Sequence, residues 1–198
     1  MKKLVLSPFD ELLWAVIGLF LTISGVFIEP AIPLGSFAWP VQWEQVPTYG
    51  LGSSLQVAAV LLVGCLGGCN AAALSQVAYL ALGLSGLQVF ALGGGLGVWQ
   101  SPAFGYLLGF IPGAWVCGHL AFRRRSRLEA LFVSCLLGLG MIHLLGVLYL
   151  SGLWLLRDIP QSWWSLVLQF SVLALPGQLL LVCAVAFVAF LLRRLLFY

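Results

Sequence analysis

Charge is what this sequence lacks. Only 8% of its 198 residues are Asp, Glu, Lys or Arg, against about 25% in soluble domains. Nine basic and six acidic side chains cannot make the surface of a 62% hydrophobic chain water-soluble, so an integral membrane protein is expected. Lysine is absent beyond Lys3. That excludes a nucleotide-binding P-loop, whose lysine must follow its glycines. Histidine is confined to His119 and His143. The five cysteines (Cys65, Cys69, Cys117, Cys135, Cys183) lie inside apolar stretches. Cys65 and Cys69 are one helical turn apart, but no ligand pair has zinc-motif spacing, so neither a metal site nor a disulfide is expected. No nucleic-acid partner is expected either.

Long apolar runs are what the chain does have. A spanning helix needs about 20 mostly apolar residues. Six segments meet or approach that length: 12–29, 51–68, 71–92, 103–122, 130–150 and 166–192. The expected fold is an all-α membrane bundle of six transmembrane helices in one domain. With six crossings, Lys2–Lys3, Arg123–Arg125 with Arg127, and Arg193–Arg194 share one side, and Arg157 alone lies opposite. The positive-inside rule makes the first side cytoplasmic, with both termini inside. A cleaved signal peptide is disfavoured, because Asp10 and Glu11 interrupt the basic start and no small-x-small cleavage site follows.

Residues 29–50 carry four prolines, Trp39 and Trp43 between helices one and two. They form a long outer loop, read either as a lid or as an interfacial connector. Two helices carry seams of small residues. Gly105, Gly109, Gly113, Cys117 and Ala121 recur every fourth position, a pattern that lets helix backbones approach closely in lipid. Ala15, Gly18, Thr22 and Gly25 line one face of helix one. That seam fits a helix of the same chain or a partner protein, and is assigned here as a partner interface. Gln56, Gln76 and Gln178 are amides inside apolar segments. Each needs a hydrogen-bonding partner, which suggests a polar pocket or interhelical bonding.

The glycines of "ALGGGLGVWQSPAFGYLLGF", residues 91–110, point to a close approach of backbone to another group. Gly83–Gly86, "GLSG", matches the four-residue pattern around the nucleophile of rhomboid intramembrane proteases. An alternative reading therefore makes Ser85 a nucleophile, with His119 or His143 as base.

A longer pattern is more specific. Val46–Pro47, Gln56, Val60–Leu62, Gly64, Leu66–Gly67, Leu74–Gln76, Tyr79–Leu80 and Leu82–Gly83 are its first half. Gly86–Leu87, Val89–Phe90, Gly93–Gly95, Pro102, Gly105–Leu107 and Gly109–Phe110 complete it. Residues 46–110 thereby resemble the biotin-transporter substrate-binding subunits, the BioY family, which are S components of energy-coupling-factor vitamin transporters. The resemblance implies a multi-pass protein of the bacterial inner membrane that captures biotin or a related vitamin and is not an enzyme. It also implies a transmembrane coupling subunit and two partner ATPases that hydrolyse ATP, with no cofactor in this chain. It places the ligand against Gly93, Gly94 and Gly95, with Tyr79, Phe90 and Tyr106 as walls and Gln56 and Gln76 on a ureido group. Three positions depart from the family pattern. Gln88 replaces a proline, and Pro176–Gly177–Gln178 with Leu181 replaces P-G-D-x-x-K. Gln178 and Arg157 are then the candidate polar contacts left, and a different vitamin is an open alternative.

Overall fold

The computed structural model describes residues 7–33, 48–91, 93–123, 127–157 and 160–197. Helix α1, Pro8–Val26, opens with a capping box. The Ser7 hydroxyl accepts from the Asp10 amide at 3.2 Å, and the Asp10 carboxylate accepts from the Ser7 amide at 3.1 Å. This arrangement satisfies donors that the first helical turn leaves open. After α1 come two short strands that the sequence did not signal. β1 (Ala31–Pro33) pairs antiparallel with β2 (Thr48–Gly50), with Ala31 opposite Gly50. The expected lid with Trp39 and Trp43 falls mostly outside the described residues.

Helix α2, Gln56–Leu84, keeps helical backbone angles except at Gly68, where φ is +79°. The chain turns back on itself there. In a straight helix Gln56 and Tyr79 would stand about 34 Å apart, yet Gln56 Nε2 donates to the Tyr79 hydroxyl at 2.7 Å. The arms 56–67 and 69–84 therefore run antiparallel. Two helices were expected here, at 51–68 and 71–92. The second arm stops at Leu84, and residues after it form turns and a 3-10 segment at Leu96–Gln100.

Helices α3 (Phe104–Arg123) and α4 (Leu128–Leu156) follow. A short α5 (Trp163–Val167) then passes through a π turn at Leu168–Val172 toward α6 (Leu175–Phe197). Among the described residues five helical stretches are long and apolar enough to cross a membrane: α1, α2, α3, α4 and the run Trp163–Leu196. The expected count of six is thus not matched helix for helix, because α2 and its reversal form one stretch.

The small-residue seam of α3 behaves as expected. A side chain at Gly109 would meet the Ile142 backbone at 2.8 Å, and one at Gly113 the Gly138 carbonyl at 2.9 Å, so α3 and α4 pack backbone to backbone. The assignment of Ala15, Gly18, Thr22 and Gly25 to a partner interface is corrected. All four are buried against α2 of the same chain. A Cβ on Gly18 would touch Val63 at 2.8 Å and Ser75 at 3.0 Å, and one on Gly25 the Gln56 amide nitrogen at 2.9 Å. The seam is filled from within, by α2.

Two ends of the bundle can be told apart. At one, Asn70 donates to Glu11 at 3.2 Å, and Arg193 donates to the carbonyls of Cys65 (2.8 Å) and Ala121 (2.9 Å). This end gathers the start of α1, the reversal of α2, the end of α3 and the end of α6. The opposite end holds the glycine-rich turns.

Candidate ligand site

The glycine turns are built on Gly83. The Gly95 amide donates to the Gly83 carbonyl at 2.8 Å, and Phe90 and Gly93 exchange backbone hydrogen bonds at 3.3 and 3.0 Å. Gly93 (φ +93°) and Gly95 (φ +99°) adopt backbone conformations that other residues rarely take. A side chain on Gly83 would collide with the Phe90 ring, and one on Gly94 with the Leu87 carbonyl. The glycines thus let the turn fold against the end of α2.

Tyr79 anchors this turn. Its hydroxyl accepts from Gln56 and donates to the Val89 carbonyl at 3.1 Å, while its ring meets Phe90 edge-on at 5.1 Å. The bond to Tyr79 uses one of the two N–H donors of Gln56, so Gln56 still offers its second N–H and its carbonyl oxygen, an acceptor.

A second polar chain crosses α3, α4 and the last helical run. Tyr106 Oη lies 2.6 Å from Ser171 Oγ, which lies 3.1 Å from His143 Nδ1, and His143 Nε2 lies 2.6 Å from Gln178 Oε1. Directions follow from the last bond. An amide oxygen only accepts, so His143 donates from Nε2. The neutral ring then accepts at Nδ1 from Ser171, which accepts from Tyr106. Gln178 is left with its NH2, a donor group. The π turn at Leu168–Val172 carries Ser171, and such bulges shift a side chain off its helical register. Tyr106 also meets His143 edge-on at 5.7 Å and stacks near Phe170 at 6.2 Å. Gly146 is required beside it, because any side chain there would enter the Tyr106 ring.

Gln56 and Gln178 belong to the same end of the bundle. A Cβ on Gly177 would collide with the Leu51 carbonyl, so the start of α6 rests on the segment leading into α2. Arg157 lies at the rim. It donates to Gln100 Oε1 at 3.2 Å and covers the Trp99 ring at 4.9 Å, while Tyr149 donates to the Trp99 carbonyl. The glycine turns, Arg157, Gln56, Tyr79, Phe90, Tyr106 and Gln178 are therefore assembled at one end.

Gln76 lies deeper, at the contact between α1 and α2. It is fully buried and donates to Thr22 (3.0 Å) and Ser75 (2.9 Å), joining α1 to α2. Both hydroxyls spend their protons on backbone carbonyls, Gly18 and Ala72, and the Gln76 carbonyl has no partner among the described residues. The protease alternative loses its geometry. Ser85 is exposed and donates to Leu82 at 2.7 Å, His143 is engaged by Ser171 and Gln178, and His119 stacks on Trp115 at 5.1 Å. Sequence reasoning missed Ser171 and considered His143 only as the base of the protease alternative. A lone histidine in the apolar run of α4 was the available signal.

The sequence profile of the BioY family matches residues 3–197. The chain belongs to the BioY family. An uncharacterized 21.2 kDa protein of Cyanophora paradoxa is 30% identical over 93% of this chain and 95% of its own length. The biotin transporter BioY of Rhodobacter capsulatus is 33% identical over 88% of this chain and 89% of its own. The crystal structure of the S-component for biotin from an ECF-type ABC transporter superposes with a TM-score of 0.67 at 21% identity, covering 96% of this chain and 95% of that one. This BioY chain therefore has the S-component fold and is a multi-pass membrane protein. Gln178 follows Pro176–Gly177 at the head of α6.

Proposed function

We propose that this chain captures biotin, or a close neutral-headed relative, as the substrate-binding S component of a vitamin importer in the bacterial inner membrane. The observation that carries the reading is the complementary pair of amides at one end of the bundle: Gln56, which offers its carbonyl oxygen and one N–H, and Gln178, which offers its NH2. A ureido group presents two N–H donors and one carbonyl, which fits such a pair. Tyr79, Phe90, Tyr106 and the backbone of Gly93–Gly95 would wall the apolar ring. A buried carboxylate without a cation is costly, so the carboxylate of biotin would stay at the rim near Arg157. Reading the two arms of α2 as two crossings gives six, with both termini cytoplasmic under the positive-inside rule. A transmembrane coupling subunit and two ATPases would supply the energy.

Removing the Gln178 donor tests this. Gln178→Leu is expected to weaken biotin binding about ten- to a hundredfold, the effect of losing about 1.5–3 kcal/mol of buried hydrogen bonding. Arg157→Ala, at an exposed site, is expected to cost less than about tenfold. Equilibrium dialysis with labelled biotin on detergent-purified variants measures both. Binding by Gln178→Leu equal to that of the unaltered chain would remove Gln178 from the site.

A further inference from the structure

The end of the bundle opposite the glycine turns holds an unexpected cluster. Cys65 on α2, Cys117 on α3 and Cys135 on α4 are completely buried, and their sulfurs meet. The Sγ separations are 3.4 Å (Cys65–Cys135), 3.7 Å (Cys65–Cys117) and 4.0 Å (Cys117–Cys135). Spacing along the chain could not reveal this, because each thiol comes from a different helix. Glycines make it possible: a side chain on Gly64 would crowd Cys117 at 3.2 Å, and one on Gly138 would reach its Cβ at 2.9 Å.

We propose that Cys65, Cys117 and Cys135 form a site for one thiophilic divalent ion of the zinc type. Zinc–thiolate bonds of about 2.3 Å in tetrahedral geometry place sulfurs about 3.8 Å apart, which matches the triangle without rearrangement. The Leu61 carbonyl oxygen lies 3.5 Å from Cys117 Sγ and accepts its S–H when no ion is bound. Charge also favours a divalent ion. Three thiolates and one M2+ sum to −1, and the guanidinium of Arg193, bound to the Cys65 carbonyl at 2.8 Å, supplies +1 on the same turn of α2. A monovalent soft ion would leave a net negative site. On binding, three metal–sulfur bonds form, three S–H protons pass to solvent, and the ion gives up water ligands; no oxidant or reductant is needed. The ion would tie α2, α3 and α4 together some nine residues, about 13 Å, from Gln56 along α2.

The test uses the full chain carrying Cys69→Ser and Cys183→Ser, which keeps these three thiols alone. Protein from zinc-supplemented cells is expected to hold one zinc per chain. Protein from cobalt-supplemented cells is expected to show sulfur-to-cobalt charge-transfer absorption, and both signals are expected to vanish in Cys117→Ala. The helical circular dichroism of Cys117→Ala and its size-exclusion profile in detergent report that the bundle remains folded. If that variant fails to fold, Cys135→Ala takes its place. Folded protein with no zinc and no charge-transfer band would overturn the proposal, as would bands that persist without Cys117. Because the readout is the metal itself, it stands whether or not the chain binds biotin.

Discussion

Replacing Gly118 by leucine is expected to abolish the folded bundle. A Cβ at this position would lie 2.6 Å from the Cys69 nitrogen, 2.6 Å from the Gly68 carbonyl carbon and 2.7 Å from the Cys69 Cα. All three atoms are backbone, and they belong to the tight reversal of α2 that Gly68 makes possible. No rotamer change relieves such a contact, so α3 must move off the turn. Overpacking a well-packed interior costs about 1–3 kcal/mol and more where backbone has to shift. Because this contact also holds Cys65 and Ala121 within reach of Arg193, its loss spreads. Gly140→Leu is the control, since open space surrounds that position. Size-exclusion profiles and thermal unfolding in detergent are expected to show an aggregated or absent Gly118→Leu protein and a near-normal Gly140→Leu protein.

Arg193→Met carries the second large effect. Carbonyls in the last turn of a helix lack an intrahelical donor. Cys65 sits just before the break at Gly68, and Ala121 in the final turn of α3. Arg193, 4% exposed, caps both at once and lays its guanidinium over Phe122 at 4.4 Å. Methionine keeps much of the apolar stem and removes every donor. Hydrogen bonds to charged groups contribute about 1.5–3 kcal/mol each, and the two carbonyls would be left unpaired in an apolar setting. A loss of roughly 3–5 kcal/mol is expected, comparable to breaking a buried ion pair. Arg193→Lys, with a single ammonium, cannot reach two carbonyls in the same fork and is expected to fall between. Unfolding of the three proteins in a denaturant series within one detergent measures the order; an unchanged Arg193→Met midpoint would remove the capping role.

Much of this architecture was legible because membrane physics leaves few choices. Apolar length marked the helices, and α3's four-residue repeat marked its packing face. The glycine run marked a turn that lies on α2. Other features depend on where chain segments meet. The seam of α1 has the same spacing whether α2 or a partner fills it, and only the contacts of Gly18 and Gly25 decide. Gln76 and Gln56 look alike in sequence, yet one bonds to α1 and the other to Tyr79. The chain from Tyr106 to Gln178 runs through a π turn that no residue pattern announced. The three buried thiols come from three helices, so their meeting is invisible to spacing.

The central claim is that the end bearing the glycine turns binds biotin. Thermal unfolding of the purified, ligand-free chain with biotin, desthiobiotin or an unrelated vitamin tests it directly. Ligand at a hundredfold excess over Kd contributes about 2.7 kcal/mol of apparent stability. The account predicts a clear rise with biotin, a smaller or equal rise with desthiobiotin, which keeps the ureido group, and none with the unrelated vitamin. Well-folded protein that shifts with none of them, or with the unrelated vitamin alone, would contradict it.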